Sequence, residues 1–206
     1  LGVRRFDDDR EDVDADGELG RDDLGVAIVA GIGAEFRHAG VPSACTLLAD
    51  YPNLVVVRTM SKAFALAGAR LGYALVADPS VVDTLMVVRL PYHLSAVTQA
   101  IALTALRHAD VLQAQVALLR DERDALAAWL VDQGFTVAPS EANFILFGMF
   151  DDRDAVWRAL LERGVLIRQT GPAGWLRVSV GTPEENGMFR TALLEAVGSG
   201  SEEGER

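Results

Sequence analysis

Apolar residues along this chain fall into short runs separated by turn signals, and three runs in the first half have the character of strands. The segment YPNLVVVRT (51–59) is a turn followed by a β-branched run, which predicts a buried strand over residues 54–59. The segment RLGYALVAD (70–78) predicts a second strand. GVAIVAGIGAEF (25–36) indicates a short buried strand followed by a glycine-rich turn.

Helical periodicity follows these strands. The segment PSVVDTLMVVR (79–89) predicts a helix, and a long helical arm is predicted over residues 95–133. Gly134 is a typical helix stop. The later part of the arm carries apolar residues at helical spacing, namely Leu112, Val116, Leu119, Leu126 and Leu130.

The last part of the sequence has the order β-α-β-β-α, which is typical of a compact α/β subdomain. Its final helix begins with a capping box, in which Thr182 is followed by Pro183 at the first helical position and by Glu185. The predicted strands are FTVAPS, ANFILFGM, VLIRQT and GWLRVSV, and the predicted helices are DDRDAVWRALLERG and TPEENGMFRTALLEAV.

Charge and composition exclude several classes of protein. The net charge of −11 argues against a nucleic-acid partner, because nucleic-acid binders carry a basic footprint. The chain has no apolar run near the roughly 20 residues of a membrane helix and no signal-peptide core at its start. Cys45 is the single cysteine, so neither a disulfide framework nor a cysteine-based metal site is expected. We therefore expect a soluble cytoplasmic protein with no membrane partner.

Lys62 is the only lysine in the chain and follows the predicted strand end within RTMSKAFALAGARLGY (58–73). Ligands bind at strand ends of α/β sheets, and a desolvated lysine amine there can attack a carbonyl group. Thr59 and Ser61 offer hydroxyl groups, and Arg70 offers a bidentate fork that suits a phosphate. Together these groups suit a phosphorylated aldehyde such as pyridoxal 5′-phosphate (PLP), bound as a Schiff base. The alternative is a solvated lysine on a surface loop.

Five ordered blocks of sequence resemble one enzyme family. They are TMSKAFALAGARLGY, RLPYHLSAVTQA, SEANFILF, GVLIRQTG and WLRVSVGTPEEN. In this order and spacing they resemble the histidinol-phosphate aminotransferases, which are class II, fold-type I PLP-dependent enzymes. The resemblance covers roughly residues 34–197. It implies an α/β fold that is the C-terminal part of a fold-type I transferase, with an incomplete large-domain sheet, a long interdomain helix and a small α/β domain.

The resemblance also implies roles for particular residues. Lys62 is the expected Schiff-base lysine, Ser61 and Arg70 are the expected contacts of the cofactor phosphate, and Thr59 is a further candidate. The implied substrates are small amino acids and 2-oxo acids: histidinol phosphate and 2-oxoglutarate give imidazole-acetol phosphate and glutamate. The family also implies a homodimer and a role in histidine biosynthesis.

Two arginines on late strands complete the expected substrate site. Arg168 and Arg177 each follow apolar β residues on segments that we expect to be adjacent. A half-buried arginine needs an anionic partner, which is either a substrate or a structural carboxylate. By resemblance Arg177 is the expected clamp for a substrate carboxylate and Arg168 the contact for a distal phosphate, while Asn143 and Tyr92 line this pocket. On general grounds Tyr92 is more often a packing residue.

The start of the chain departs from the family pattern. Family members are longer, with most of the cofactor-binding domain before the lysine. In the family, the strand that corresponds to AIVAGIGAEF (27–36) ends Asp-Glu-Ala-Tyr, and its Asp pairs with the ring nitrogen of PLP. In this chain Ala30 stands at the Asp position and Gly33 at the Tyr position. We therefore expect weak PLP binding and no activity from these 206 residues alone, as in a truncated or frameshifted product. A non-catalytic remnant and an aromatic amino-acid aminotransferase are the alternatives.

These observations divide the chain into five predicted parts. Residues 1–33 form an acidic, disordered lead, in which the first 24 residues carry eight Asp and two Glu against four Arg. Residues 34–110 form a partial PLP-binding domain, and residues 111–134 form an interdomain helix. Residues 135–197 form a small α/β domain, and residues 198–206 form a disordered tail. Because the large-domain sheet is incomplete, we expect an uncovered apolar face around residues 54–57.

Overall fold

The computed structural model describes residues 27–30 and 34–198, with side chains from Glu35 onward. These residues form two compact units. The first contains the chain up to Ala34 and residues Gly40–His108, and the second contains Glu35–Ala39 and the chain from Ala109. The remainder of the predicted acidic lead and the tail beyond Gly198 lie outside the described residues.

The first unit is built on a three-stranded sheet with the order β1-β2-β3. Strand β1 (Ala27–Ala30) runs parallel to β2 (Leu54–Thr59), and β3 (Gly72–Val76) runs antiparallel to β2. All three strands confirm predictions from the apolar pattern. The expectation that residues 1–33 are disordered throughout is wrong for Ala27–Ala30, because this apolar tetrapeptide pairs in register with β2.

Strand β2 is covered rather than exposed. Val56 is fully buried, and Leu54 and Val55 are 5% and 6% exposed. The expected apolar opening at residues 54–57 is therefore wrong except at Val57. Both edges of β2 are also paired, since it is the central strand of the three. Exposed apolar side chains lie instead on α1 (Pro79–Val88), α2 (Ala96–Arg107) and the turn between them, and include Val87, Val88, Leu90, Val97 and Leu103.

The predicted helical arm over residues 95–133 is two helices. Helix α2 begins after Ser95, whose hydroxyl accepts the N–H of Thr98, and it ends at Arg107, with His108 as its C-cap. Helix α3 (Ala109–Asp132) begins at the next residue. The break arises because His108 leaves helical geometry, with φ −111° and ψ 27°, and its N–H bonds back to Ala105 and Leu106.

The second unit packs three helices against an antiparallel sheet of order β4-β5-β6. Its strands are β4 (Thr136–Val137), β5 (Phe144–Gly148) and β6 (Trp175–Ser179), and its other helices are α4 (Arg153–Glu162) and α5 (Pro183–Gly198). Alternate residues of β5 and β6 face the core. The fully buried core residues include Leu126, Leu130, Ile145, Phe147, Leu160, Leu176 and Leu193.

Two local signals in this unit are confirmed and one strand is not. Gly134 ends α3 with φ +86°, and Thr182 Oγ1 and Glu185 Oε2 accept each other's backbone N–H at 3.3 and 2.8 Å. The strand predicted in VLIRQT (165–170) is wrong, since this segment forms only an isolated bridge at Arg168. None of the helices in the described ranges is both long and apolar enough to cross a membrane.

Candidate active site

The loop between β2 and β3 (residues 60–71), which carries Lys62 and is called the lysine loop below, lies at the carboxyl edge of the parallel strand pair. Because β1 and β2 run in the same direction, their last residues, Ala30 and Thr59, end at one edge of the sheet. Lys62 follows Thr59 by three residues, so it lies at the edge where α/β sheets bind ligands. This placement agrees with the prediction from the sequence.

The chain around Lys62 is fixed while the lysine side chain stays exposed. The N–H of Met60 donates to Leu71 O at 3.1 Å, which closes the base of the loop. Met60 O accepts the N–H of Leu66, and Lys62 O accepts that of Ala65 at 2.9 Å. Met60 is only 4% exposed and anchors the loop in the core. The amine is therefore presented from a loop whose base is hydrogen-bonded and anchored in the core.

Thr59 and Ser61 are held together by two hydrogen bonds. Thr59 Oγ1 donates to Ser61 Oγ at 2.8 Å and accepts the backbone N–H of Ser61 at 3.1 Å. Both residues are half-buried. The two hydroxyl groups therefore form one preorganised polar pair directly before Lys62, which suits a phosphate oxygen.

Arg70 closes the other end of the loop in a left-handed conformation, with φ +51°. It is exposed, and its Nη1 donates to Ala67 O at 3.2 Å. A guanidinium carries five donors, so further donors are available to an anion. Gly72 then begins β3, where an added Cβ would lie 2.6 Å from the carbonyl oxygen of Arg58. Only glycine fits this close backbone approach.

Tyr92 lies on the turn after α1 with φ +55°, and 99% of it is exposed. The alternative that Tyr92 is a packing residue therefore does not hold in this structure. Its side chain is open to a ligand or another chain.

The second unit brings Arg168 and Arg177 together as expected. Their backbones exchange two hydrogen bonds, Arg168 N–H to Arg177 O at 3.0 Å and Arg177 N–H to Arg168 O at 2.9 Å. Residues opposed in this way on antiparallel chains project to the same face. Both arginines line an open cavity of about 940 Å³, with Trp157, Gln169 and Ser179 also on its wall.

Neither arginine has a structural carboxylate partner within the described part of the chain. Arg177 is half-buried, with its guanidinium carbon 4.7 Å from the centroid of the Phe144 ring. Its Nε is buried and has no hydrogen-bond partner there. Arg168 is exposed rather than half-buried as the sequence suggested. Within these residues, the alternative of a structural ion pair is not supported.

Asn143 lies in the same unit, just before β5. Its carbonyl oxygen accepts the N–H of Val180 at 3.0 Å, which ties it to the end of β6. It is half-buried and does not line the cavity of the two arginines. Its predicted role at the substrate stays a prediction.

Sequence reasoning missed Arg123. It occupies the stripe of α3 between Leu119 and Leu126, yet it is only 1% exposed. The sequence did contain a signal for this burial, because Arg123 occupies a position at which the helical spacing of α3 predicts an apolar residue. The partners of Arg123 include His38. No cluster of metal-binding side chains forms in the part of the chain that the structure describes.

Comparison with known protein families identifies the class to which this fold belongs. The family model for class I and II aminotransferases matches residues 30–193, which is more than half of the chain. This chain belongs to the class I and II aminotransferase family.

Similar proteins refine that assignment and confirm the resemblance drawn from the motifs. A histidinol-phosphate aminotransferase of Thermobifida fusca is 64% identical over 174 residues, covering 84% of this chain and 47% of that protein. One from Frankia casuarinae is 56% identical over 169 residues, covering 82% of this chain and 42% of that protein. The chain thus spans about half the length of the curated relatives it matches.

A solved structure confirms the predicted fold. The histidinol-phosphate aminotransferase of Sinorhizobium meliloti, determined in complex with pyridoxal-5′-phosphate, superposes with a TM-score of 0.76 at 27% identity. The match covers 85% of this chain and 49% of that one. The α/β architecture is therefore part of a fold-type I transferase, as the sequence indicated.

Proposed function

We propose that this chain is the lysine-bearing part of a PLP-dependent aminotransferase that converts histidinol phosphate and 2-oxoglutarate to imidazole-acetol phosphate and glutamate. The observation that carries the proposal is the position of Lys62, the single lysine, on a fixed loop at the carboxyl edge of β1 and β2. The 64% identity to a histidinol-phosphate aminotransferase supports the substrate class.

The residues of the lysine loop fit two ends of PLP. Lys62 Nζ would hold the aldehyde carbon, and the Thr59–Ser61 hydroxyl pair with Arg70 would hold the phosphate. PLP supplies an electron sink for the charge that develops when an amino acid loses its Cα proton. Once displaced by the amino donor, Lys62 Nζ would take the Cα proton as general base and deliver it as general acid to the carbon that was the aldehyde carbon of PLP.

The carboxylate that would pair with the ring nitrogen of PLP is absent from the position at which the family carries it. The family's ring-nitrogen carboxylate would stand at Ala30, the last residue of β1. An alanine there offers no carboxylate to hold a proton on the ring nitrogen. The loop residues therefore support binding of the aldehyde and phosphate ends, and the ring nitrogen is left to other groups.

The two arginines are proposed to bind the substrate. The unpartnered, buried Nε of Arg177 suits a carboxylate held at close range, as in glutamate. The exposed Arg168 beside it suits the distal phosphate of histidinol phosphate. Tyr92 and Asn143 are proposed as further contacts of the substrate. A homodimer in the cytoplasm, which is typical of this family, is also proposed.

Binding of alternative donors to PLP-loaded protein tests the substrate assignment. Histidinol phosphate should bind more tightly than phenylalanine by calorimetry, because only histidinol phosphate places a dianion near Arg168. The Arg168→Ala variant should lose most of that preference and keep its affinity for phenylalanine. Equal affinity of the unmodified protein for both ligands would favour an aromatic amino-acid aminotransferase instead.

A further inference from the structure

His38 lies between two carboxylates of the second unit. Its Nδ1 is 2.7 Å from Glu141 Oε1, and its Nε2 is 2.9 Å from Asp124 Oδ2. The backbone N–H of His38 also donates to Glu141 Oε2 at 2.7 Å. One short segment, Glu35–Ala39, is thereby attached both to α3 and to the loop before β5.

Arg123 forms the buried side of this cluster. Its Nη1 donates to the carbonyl oxygens of Phe36 at 2.8 Å and Ala142 at 3.3 Å, and its Nε donates to Asp124 Oδ1 at 2.9 Å. Its Nη2 lies 2.9 Å from His38 Nε2. From α3, Arg120 adds a hydrogen bond to Arg37 O, and Asp132 lines the adjoining cavity.

The Nε2 atom of His38 cannot satisfy both of its neighbours at once. A guanidinium only donates hydrogen bonds and a carboxylate only accepts them. The protonated ring therefore donates from Nδ1 to Glu141 and from Nε2 to Asp124. The neutral ring can still donate to Glu141, but its Nε2 then accepts from Arg123 and turns a lone pair toward Asp124. Loss of one proton thus exchanges an attractive contact for a repulsive one.

The electrostatics of the cluster favour the protonated ring. The hydrogen bond to Glu141, and then that to Asp124, raises the pKa of His38 above its ordinary value, although nearby Arg123 opposes this. The hydrogen bond from His38 lowers the pKa of Glu141. Partial burial alone would raise the pKa of Asp124, but hydrogen bonds from Arg123 and His38 outweigh it and lower that pKa.

We propose that His38, Asp124, Glu141 and Arg123 form a pH-sensitive clasp, which fastens residues Glu35–Ala39 to the rest of the second unit and loosens when His38 loses its proton. The fastened segment is joined in sequence to Ala34 and Gly40, both of which belong to the first unit. The contribution of the clasp is fully present below the unfolded histidine pKa of about 6.5 and is lost as pH rises through the raised value. The proposal is independent of the cofactor assignment.

Histidine NMR titration of the whole chain is the first test, with His38 assigned from the His38→Gln variant. The His38 midpoint should lie above the ordinary histidine value, and Glu141→Gln and Asp124→Asn should each lower it. His108→Gln, which changes the histidine that ends α2, should leave it unchanged. An ordinary midpoint that neither carboxylate variant moves overturns the proposal.

Amide hydrogen exchange at His38 is the second test, because its N–H donates directly to Glu141. The exchange rate, corrected for the intrinsic rate, gives the opening constant at each pH. As pH rises from below the unfolded histidine pKa to above the His38 midpoint, this constant should increase about tenfold for each pH unit by which that midpoint exceeds the unfolded value. In His38→Gln this dependence should be absent. A pH-independent opening constant, or the same dependence in His38→Gln, overturns the proposal. If His38→Gln does not fold, the Glu141→Gln midpoint decides.

Discussion

The backbones of Arg168 and Arg177 exchange two hydrogen bonds, which sets two guanidinium side chains on the same face. Like charges directly opposite each other on paired chains are destabilising. No carboxylate within ion-pair distance of either arginine occurs in the described part of the molecule. This arrangement is therefore typical of a site that an anionic ligand completes.

Arg168→Ala should leave the free protein as stable as before, or more stable by about 0.2–1 kcal/mol, since the like-charge pair is removed. The same variant should reduce the rise in melting temperature that inorganic phosphate produces. Thermal unfolding with and without phosphate measures both effects. Arg158→Ala, on the exposed face of α4, is the matched control and should respond to phosphate as the unmodified protein does. A large loss of stability in Arg168→Ala without phosphate would indicate a structural role instead.

Arg70→Ala should weaken PLP binding by about ten- to a hundredfold, since a hydrogen bond to a charged group contributes about 1.5–3 kcal/mol. Spectroscopic titration with PLP measures the dissociation constant. Arg107→Ala, in the last turn of α2, serves as the control and should bind PLP normally. A dissociation constant in Arg70→Ala equal to that of the control would remove Arg70 from the phosphate site.

Gly72→Ala should destabilise the protein by about 1–3 kcal/mol, because overpacking forces the backbone to move. The added Cβ would lie 2.6 Å from Arg58 O, which is too close for a carbon and an oxygen that are not bonded to each other. Gly68→Ala is the matched control, because its Cβ would meet no atom within 4 Å. Urea unfolding of both variants gives the comparison. Equal stabilities would mean that the β2–β3 pairing tolerates a side chain at this position.

Arg123→Met should destabilise the protein by about 2–4 kcal/mol although methionine suits the apolar stripe of α3. The substitution leaves the carbonyl groups of Phe36 and Ala142 without a buried donor, and each unsatisfied group costs about 1–3 kcal/mol. Urea unfolding measures the loss, with Arg158→Met as an exposed control. A stabilising effect would show that the stripe prefers an apolar residue here.

Elements with local signals were predictable from the sequence. The β-branched run gives β2 at Leu54–Thr59, Gly134 ends α3, and Thr182 with Glu185 caps α5. Each of these features depends on residues that are close together in the chain. The lysine loop was predictable for the same reason, since its groups lie within one short segment.

Features that depend on distant partners were not predictable. Arg123 is buried because Phe36, 87 residues away in sequence, offers it a carbonyl oxygen. The break at His108 has no glycine or proline to mark it. The segment around Arg168 is apolar enough for a strand, but only Arg168 pairs with β6. Such outcomes are decided by tertiary contacts rather than by local pattern.

The central claim is that Lys62 binds the aldehyde of PLP, and covalent labelling tests it directly. Incubation of the protein with PLP, reduction with borohydride and peptide mass mapping should place the phosphopyridoxyl group on Lys62, the only lysine of the chain. Lys62→Ala should lose this label, while Arg107→Ala should retain it. A label confined to the amino terminus, or equal labelling of the unmodified protein and Lys62→Ala, would contradict the account.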